Sequence, residues 1–147
     1  MSVNVDGKLV ENFTINEMAN NKAVEQIKLV LTPAVTLHCL MMQELRKWYG
    51  KPMKVNSWYR TKKYNSSLKG ADPHSCHLDG IATDIDFPVI TELQIQHFIE
   101  KWKEICKKYG VIGGVSIEPG WLHFDSNNDP KRYGGNNPNF RVTDFRK

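Results

Sequence analysis

The chain has 147 residues, of which 40% are hydrophobic and 24% are charged, and its net charge is +4. This length and composition suit one globular domain with a core of its own, and they exclude a globally disordered chain. The mild positive charge suits a polyanionic neighbour such as a bacterial wall polymer. No Lys/Arg-rich cluster is interleaved with aromatic residues, so we predict no nucleic-acid partner.

The cysteines indicate folding in a reducing compartment. Cys39, Cys76 and Cys106 are odd in number and lack CxxC spacing, which disfavours a secreted disulfide scaffold. The N-terminal residues MSVNVDGKLVENF contain no basic stretch followed by an apolar one, and the longest apolar run is far shorter than a membrane span. We therefore expect synthesis in the cytoplasm without a signal peptide, no membrane partner, and a separate export route for any role outside the cytoplasm.

The first third of the chain predicts a short strand or arm and two helices. Residues 1–12 form the arm, and the capping box T14-I-N-E17 begins a short helix that ends near Asn20–Asn21. T32-P33 supplies an N-cap and a first-turn proline for a second helix, which ends at Gly50. Its apolar residues recur at helical spacing and are expected to face the core: Val35, Leu37, Leu40, Met41, Leu45 and Trp48.

Four strands are predicted in the remainder of the chain. They cover 54–59, 81–87, a short segment ending at Ile117, and 121–125. The segment 81–87 alternates, so that Asp84 lies on one face of its strand and the apolar residues lie on the other. The strand at 121–125 is expected to be the last.

Two further helices and a tail complete the predicted elements. Residues 62–68 predict a short helix, and Thr91 caps a long amphipathic helix that ends at Tyr109. The Asn-, Gly- and Pro-rich segment 126–147 is expected to wrap the surface. Together the elements predict an α+β domain in which two or three helices pack on a small antiparallel sheet. The core-facing residues of the long helix are predicted to be Leu93, Phe98, Ile99, Trp102, Ile105 and Cys106.

The stretch S75-C-H-L-D-G-I-A-T-D84 contains two good metal ligands, His77 and Asp84. A catalytic zinc takes three protein ligands and keeps a fourth position open. Asp84 has apolar neighbours and needs a partner such as a cation, because burying a lone carboxylate is costly. Gly80 allows a sharp turn between the two residues, and Ala82 leaves space on the face of Asp84.

A third ligand is offered by His123 in W121-L-H-F-D125, if its strand lies beside the strand of Asp84. Separately these signals are weak, since a single histidine on a strand is more often a surface or core residue. His38 and His97 lie on predicted helices without paired ligands and are expected to be structural or solvated.

The pattern S75-x-H77-x-x-G80-x-A82-x-D84 resembles the SxHxxGxAxD signature of the zinc D-alanyl-D-alanine carboxypeptidase family. That family includes vancomycin-resistance D,D-dipeptidases and phage L-alanyl-D-glutamate endolysins, and it shares its fold with the hedgehog signalling domain. Further segments are similar to its small phage-type members, so that the resemblance covers Phe13 to Asp125: N12-F-T-I-N-E17, V55-N-S-W-Y-R60 with Y64-N65, and E118-P-G-W-L-H123.

The resemblance implies a hedgehog-like and D,D-peptidase-like fold that holds one Zn²⁺ per chain on His77, Asp84 and His123. Cys76 is expected to be non-ligating, because His77 fills the motif position. Residues 1–147 are expected to form one peptidase domain with a core at about 13–125.

Glu118 falls where the family places its acid/base carboxylate. It precedes His123 by five residues rather than the three of many members, across Pro119-Gly120, so Asp125 and Asp86 remain alternatives. By the same resemblance, Arg60 lies near the substrate carbonyl or carboxylate, and Ser75 and Trp121 line the pocket.

The implied function is hydrolysis of the stem peptides of peptidoglycan by a monomeric enzyme. D-alanyl-D-alanine carboxypeptidase activity is expected, with L-alanyl-D-glutamate endopeptidase activity, as in an endolysin, as the alternative. A further alternative is an inactive, zinc-stabilised binding domain, for which a carboxylate at Glu118 would serve no purpose. The expected site of action is the bacterial cell wall, and a phage gene is the expected origin.

Overall fold

A computed structural model describes residues 8–18 and 32–146. The strands are β1 (Lys8–Val10), β2 (Phe13–Thr14), β3 (Lys54–Ser57), β4 (Ala82–Asp86), β5 (Gly114–Glu118), β6 (Trp121–Asp125) and β7 (Arg141–Asp144). The helices are α1 (Ile15–Met18), α2 (Pro33–Tyr49), α3 (Lys62–Ser67) and α4 (Glu92–Tyr109), and Cys76–Asp79 forms a 3₁₀ turn. The first residues of the predicted arm and the predicted helix end at Asn20–Asn21 lie outside the described residues.

The predicted α+β class is confirmed. β1 and β2 form a small hairpin, and the main sheet has the strand order β3-β4-β6-β5-β7. Its first three pairs of neighbours are antiparallel, whereas β5 and β7 run parallel. The sheet is therefore mixed, whereas an antiparallel sheet was predicted. The prediction that β6 is the last strand is wrong. Part of the tail returns as β7, the edge strand beside β5.

The predicted caps begin and end the helices. Thr14 and Glu17 exchange the two hydrogen bonds of a capping box at α1. The Thr32 hydroxyl accepts from the Val35 N–H at the start of α2, and Gly50 ends that helix in the left-handed conformation. Thr91 and Gln94 form a second capping box at α4. The helix ends thus follow from local hydrogen bonds that the sequence predicts.

The core lies between one face of the main sheet and the pair α2 and α4. Its largest fully buried side chains include Trp58, Trp102, Phe98 and Phe124. Three residues predicted to face the core are instead exposed: Leu40 (41%), Trp48 (41%) and Leu93 (66%). They lie on the rims of the two helical faces, where Trp48 still contacts the ring of Phe98 edge-on at 5.2 Å.

No helix within the described ranges is long and apolar enough to cross a membrane. The face of the sheet opposite the two long helices carries most of the polar residues that the sequence singled out. Its cross-strand rows are Ala82–Asp125–Gly114, Asp84–His123–Ser116 and Asp86–Trp121–Glu118, on β4, β6 and β5 respectively.

Candidate metal centre

The pairing of β4 with β6 brings two of the predicted ligands together. Asp84 and His123 are direct cross-strand partners, so their side chains project from the same face of the sheet. Asp84 is 3% exposed at the middle of the sheet. One Asp84 carboxylate oxygen, Oδ1, lies 2.8 Å from His123 Nδ1. The strand register alone therefore places a buried carboxylate against an imidazole.

His77 reaches the same point from the 3₁₀ turn before β4. The Ser75 hydroxyl accepts from the His77 N–H at the start of the turn, and Gly80 ends it with a φ of +70°. A residue with a side chain adopts that conformation only at a cost, which explains the glycine at this position. His77 Nε2 lies 3.1 Å from Asp84 Oδ2, the second oxygen of the carboxylate.

One ligand atom from each of His77, Asp84 and His123 lies within 4.8 Å of the other two. Two imidazole nitrogens and a carboxylate oxygen are a common donor set for catalytic zinc, whose bonds of about 2.0–2.2 Å place neighbouring donors about 3.3 Å apart. The contacts of Asp84 with the two histidines are close to that spacing. The three residues thus fit a zinc ion with only small side-chain movement, and the backbone already supplies the arrangement.

Each histidine is held from behind by an acceptor, which fixes the nitrogen that faces the carboxylate. His77 Nδ1–H donates to the backbone carbonyl of Trp58 at 2.6 Å, which leaves Nε2 for a metal. His123 Nε2–H donates to Asp125 Oδ2 at 3.3 Å, which leaves Nδ1. The indole N–H of Trp58 also donates to the Gly80 carbonyl at 3.0 Å, so Trp58 holds the 3₁₀ turn at two points.

The pKa values of Asp84, His77 and His123 are compatible with a cation bound between these side chains. Burial alone would raise the pKa of Asp84, but His77 and His123 outweigh it and hold that pKa well below its ordinary value. Burial lowers the pKa of His77, so this ring is neutral, the form that binds metals. Burial also disfavours a charged His123, but Asp125 and Asp84 raise its pKa to about 10. In the metal-free chain, a proton on His123 compensates the carboxylates.

The three residues line a cavity of about 790 Å³. Arg60, Ser75, Glu118 and Trp121 line it too, so all four of the predicted catalytic and pocket residues meet the three predicted ligands there. The β5–β6 turn at Pro119-Gly120 explains the longer spacing between Glu118 and His123. The hairpin folds Glu118 back opposite Trp121, on the same face as His123. Partial burial, and then the nearby Asp84, raise the pKa of Glu118 above its ordinary value.

Arg60 is fixed beside Asp84 by its neighbours. Its Nε donates to the Ser57 hydroxyl at 3.0 Å, and its Nη1 donates to the Asn65 side-chain carbonyl at 3.2 Å. The remaining terminal nitrogen, Nη2, lies 3.6 Å from Asp84 Oδ2. Its side chain is 14% exposed, so part of the guanidinium remains available to a ligand in the cavity.

The two alternative acid/base residues lie outside the described lining of the cavity. Asp125 is fully buried behind His123, and its Oδ2 also accepts from Arg141 at 3.1 Å. Asp86 lies at the end of β4, where it accepts from Asn56 at 2.9 Å. Both aspartates lie on the same face of the sheet as Asp84 and His123, but of the three only Glu118 lines the cavity.

Other singled-out residues take structural positions. His38 is buried beneath the sheet and bonds to Ser126 and Thr83, whereas His97 is exposed. Cys76 is outside the candidate ligand group, and its thiol lies 3.2 Å from the Tyr133 hydroxyl.

Sequence reasoning missed three contributors to the site: Trp58, Asp125 as a partner of His123, and Arg141. The alternation of W121-L-H-F-D125 could have suggested Asp125, because residues two apart on a strand share a face. No local signal identifies the backbone carbonyl of Trp58 or the pairing of the tail with β5.

Comparison with protein families gives a match over most of the chain. A family model described as Peptidase M15 matches residues 11–125. Comparisons with curated proteins and with solved structures give no match. The matched region contains all three candidate ligands, Arg60 and Glu118, and it ends at Asp125.

Proposed function

Because the chain belongs to the Peptidase M15 family, a family of zinc peptidases, we propose that it is a zinc-dependent peptidase that hydrolyses the stem peptides of bacterial peptidoglycan. The observation that supports this proposal best is the convergence of His77, Asp84 and His123 on the floor of a cavity that Arg60 and Glu118 also line. A ligand group, a base and an anion-binding group in one cavity are what metal-assisted peptide hydrolysis requires.

Zinc bound by these three residues would polarise the scissile carbonyl and lower the pKa of water at its open position. Glu118 would accept a proton from the attacking water and pass it to the leaving amine as the peptide C–N bond breaks. Its raised pKa suits both steps, because a more basic carboxylate accepts a proton more readily at neutral pH.

Arg60 would bind a carboxylate of the substrate. Ser57 and Asn65 fix its plane, so that two N–H groups can meet two oxygens with little loss of side-chain entropy. The closest approach of Arg60 to Asp84 is 3.6 Å, so a carboxylate bound by Arg60 would lie near the bond to be cut. A free carboxylate next to the scissile bond is the feature of a D-Ala-D-Ala terminus, and we propose carboxypeptidase activity on that terminus.

An L-alanyl-D-glutamate endopeptidase is the second candidate, and the size of the cavity favours it. The D-glutamate residue also carries a free carboxylate next to the scissile bond, while the peptide continues through its side chain. A cavity of about 790 Å³ is larger than one alanine requires and leaves room for that continuation. Arg60 would bind the free carboxylate of either substrate in the same way. The choice between the two activities therefore depends on whether the cavity has room for the rest of the peptide.

Incubation of the zinc-loaded protein with a defined pentapeptide stem, followed by mass spectrometry of the products, tests both candidates. Loss of one terminal alanine is the expected result. Release of the N-terminal L-alanine would replace the carboxypeptidase with the endopeptidase. An intact peptide, together with stoichiometric bound zinc, would point to an inactive, zinc-stabilised binding domain.

A further inference from the structure

A chain of polar contacts through the buried Asp125 connects the C-terminal strand β7 to the candidate ligand His123. Arg141 Nη2 lies 3.1 Å from Asp125 Oδ2, and the same oxygen lies 3.3 Å from His123 Nε2. We propose that Arg141 is a positioning residue that acts through Asp125 to fix the orientation and the tautomer of His123. The proposal rests on the zinc site proposed above and adds to it a residue outside the region matched by the family.

Both carboxylate oxygens of Asp125 accept hydrogen bonds. Its Oδ1 accepts from the Asn127 N–H at 3.1 Å, while Oδ2 accepts from both Arg141 and His123. An ionised carboxylate satisfies three donors, whereas a protonated one would have to turn an O–H towards one of them. Arg141 supplies this fully buried carboxylate with a permanently charged donor, because arginine stays charged at any ordinary pH.

The position of Asp125 determines which nitrogen of His123 is free. With the acceptor beside Nε2, the proton of a neutral ring stays on that nitrogen, and the lone pair of Nδ1 points towards Asp84. Loss of Arg141 would leave the Asp125 side chain with one charged donor fewer, so the carboxylate would move from its present position. That movement would loosen the His123 ring that must bind the metal.

The sheet is built to allow this contact. Asp125 pairs with Gly114 on β5, and Gly114 pairs with Arg141 on β7. A Cβ atom on Gly114 would lie 3.2 Å from Asp125 Oδ2 and 3.0 Å from the Arg141 carbonyl oxygen. Because Gly114 has no side chain, the Arg141 side chain can pass over β5 and reach Asp125.

Arg141 is also held on its other side. Its guanidinium lies over the ring of Tyr133, 4.5 Å from the ring centroid. Arg141 follows Asp125 by 16 residues, and the family match ends at Asp125. The tail after β6 therefore contributes to the site, although it lies outside the matched region.

Zinc affinity tests the proposal, measured by competition with a chromophoric chelator for the full chain. Arg141→Met should bind zinc about tenfold more weakly, and Asp125→Asn about 10- to 100-fold more weakly, as is typical for groups that support metal ligands. Arg141→Lys should recover part of the loss, because it keeps the charge. Arg146→Met is the matched control, since Arg146 is an arginine of the same tail that pairs with Glu92 and Asp144.

The double variant Arg141→Met/Asp125→Asn separates positioning from a general structural effect. If Arg141 acts through Asp125, the double variant should bind zinc no more weakly than Asp125→Asn alone. The visible spectrum of the Co²⁺-substituted Arg141→Met protein should also change, because the imidazole ligand is no longer held in one orientation.

Unchanged zinc affinity in a folded Arg141→Met protein would overturn the positioning role. A double variant whose loss equals the product of the two single losses would overturn the route through Asp125. A wild-type chain that binds no zinc would instead overturn the proposed function itself, and the positioning role with it. Circular dichroism of each variant, and the Arg141→Lys protein if Arg141→Met does not fold, keep these outcomes distinct.

Discussion

Single side chains in the site are held by hydrogen bonds from behind, so that each presents one atom to the cavity. Trp58 holds His77, Asp125 holds His123, and Asn65 holds Arg60. A group that is oriented before the substrate binds loses little entropy on binding and needs little reorganisation during the reaction. Glu118 is the exception. It is half-buried on the cavity wall, where partial burial and then the charge of Asp84 raise its pKa.

Glu118→Gln should retain the fold and the zinc but lose activity by about 10²-fold or more, because general acid/base groups contribute that much. The amide has nearly the same size as the carboxylate and cannot accept the proton. Hydrolysis of a defined stem peptide measures the effect, and Glu100→Gln, at an exposed glutamate of α4, is the control. Normal hydrolysis by Glu118→Gln, together with an Asp125→Asn or Asp86→Asn protein that is inactive although fully loaded with zinc, would assign the acid/base role to that aspartate.

His38 should make the fold sensitive to acid. Burial lowers its pKa from 6.5 to about 3, with smaller effects from Asp125, His123 and His77. In the unfolded chain His38 is therefore protonated below about pH 6.5, whereas in the folded chain it stays neutral until about pH 3. The free energy of unfolding thus falls as the pH falls below 6.5. This one residue should remove about 2 kcal/mol of unfolding free energy between about pH 7 and about pH 5.

Urea unfolding of the metal-free protein at these two pH values measures the difference. His38→Gln has no group that titrates there, so it should lose about 2 kcal/mol less than the wild type over the interval. His97→Gln removes an exposed histidine of α4 and should behave as the wild type. Equal losses in wild type and His38→Gln would show that His38 is not the residue that senses acid.

The residues that stabilise the fold and the residues of the candidate site lie on opposite faces of the main sheet. α2 and α4 cover one face of the main sheet and contribute most of the core, while the opposite face of β4, β5 and β6 carries Asp84, Glu118 and His123. The sheet connects the two faces rigidly, because each of its central strands is paired on both sides. A local change at the end of a helix should therefore affect stability without affecting the chemistry.

Thr91→Ala tests that division. The substitution removes the hydroxyl that accepts from the Gln94 N–H at the start of α4, and loss of such a cap costs about 1 kcal/mol. Thermal unfolding should detect the loss, whereas zinc affinity and kcat/KM should stay unchanged. Thr91→Ser keeps the acceptor and should keep most of the stability. A large loss of zinc affinity in a folded Thr91→Ala protein would show that the helix layer takes part in holding the site.

At the scale of the whole molecule, zinc and protons should compete for one position. In the metal-free protein the pKa of His123 is about 10, against 6.5 for the ordinary residue. The stability that this proton contributes is present in full below pH 6.5 and is lost as the pH rises towards 10. Bound zinc takes the place of the proton, so the loaded protein does not lose this contribution.

The rise in melting temperature caused by saturating zinc should therefore grow between about pH 6.5 and about pH 9. Differential scanning calorimetry with zinc or with a chelator at each pH measures it. Asp84→Ala should show little or no rise at any pH. A rise that is constant over this range in the wild type would contradict the competition.

The sequence predicted the parts of the fold that depend on local signals and on alternation. The caps at Thr14, Thr32 and Thr91, and the strands at 82–86 and 121–125, are where the patterns placed them. The ligand group followed from the spacing around His77 and Asp84 and from a resemblance, and the structure adds that β4 and β6 are neighbours. The burial of residues at the edges of a helical face was harder to predict. Leu40 and Leu93 recur at the same spacing as the core residues, although both are exposed.

The contribution of the tail could not be read from the sequence. Arg141 reaches Asp125 only because β7 pairs parallel with β5, a contact that joins distant segments without a turn motif between them. Asparagine, glycine and proline between the two strands indicate a loop but not where the loop returns.

The zinc content of the purified protein tests the central claim most directly. Elemental analysis should find one zinc per chain in the wild type and none retained in Asp84→Ala after dialysis. Asp86→Ala is the matched control, because Asp86 is an aspartate on the same face of the same strand, two residues from Asp84, and it should keep its zinc. Full zinc occupancy in Asp84→Ala, or a folded wild-type protein that takes up no zinc, would contradict a catalytic centre built on His77, Asp84 and His123.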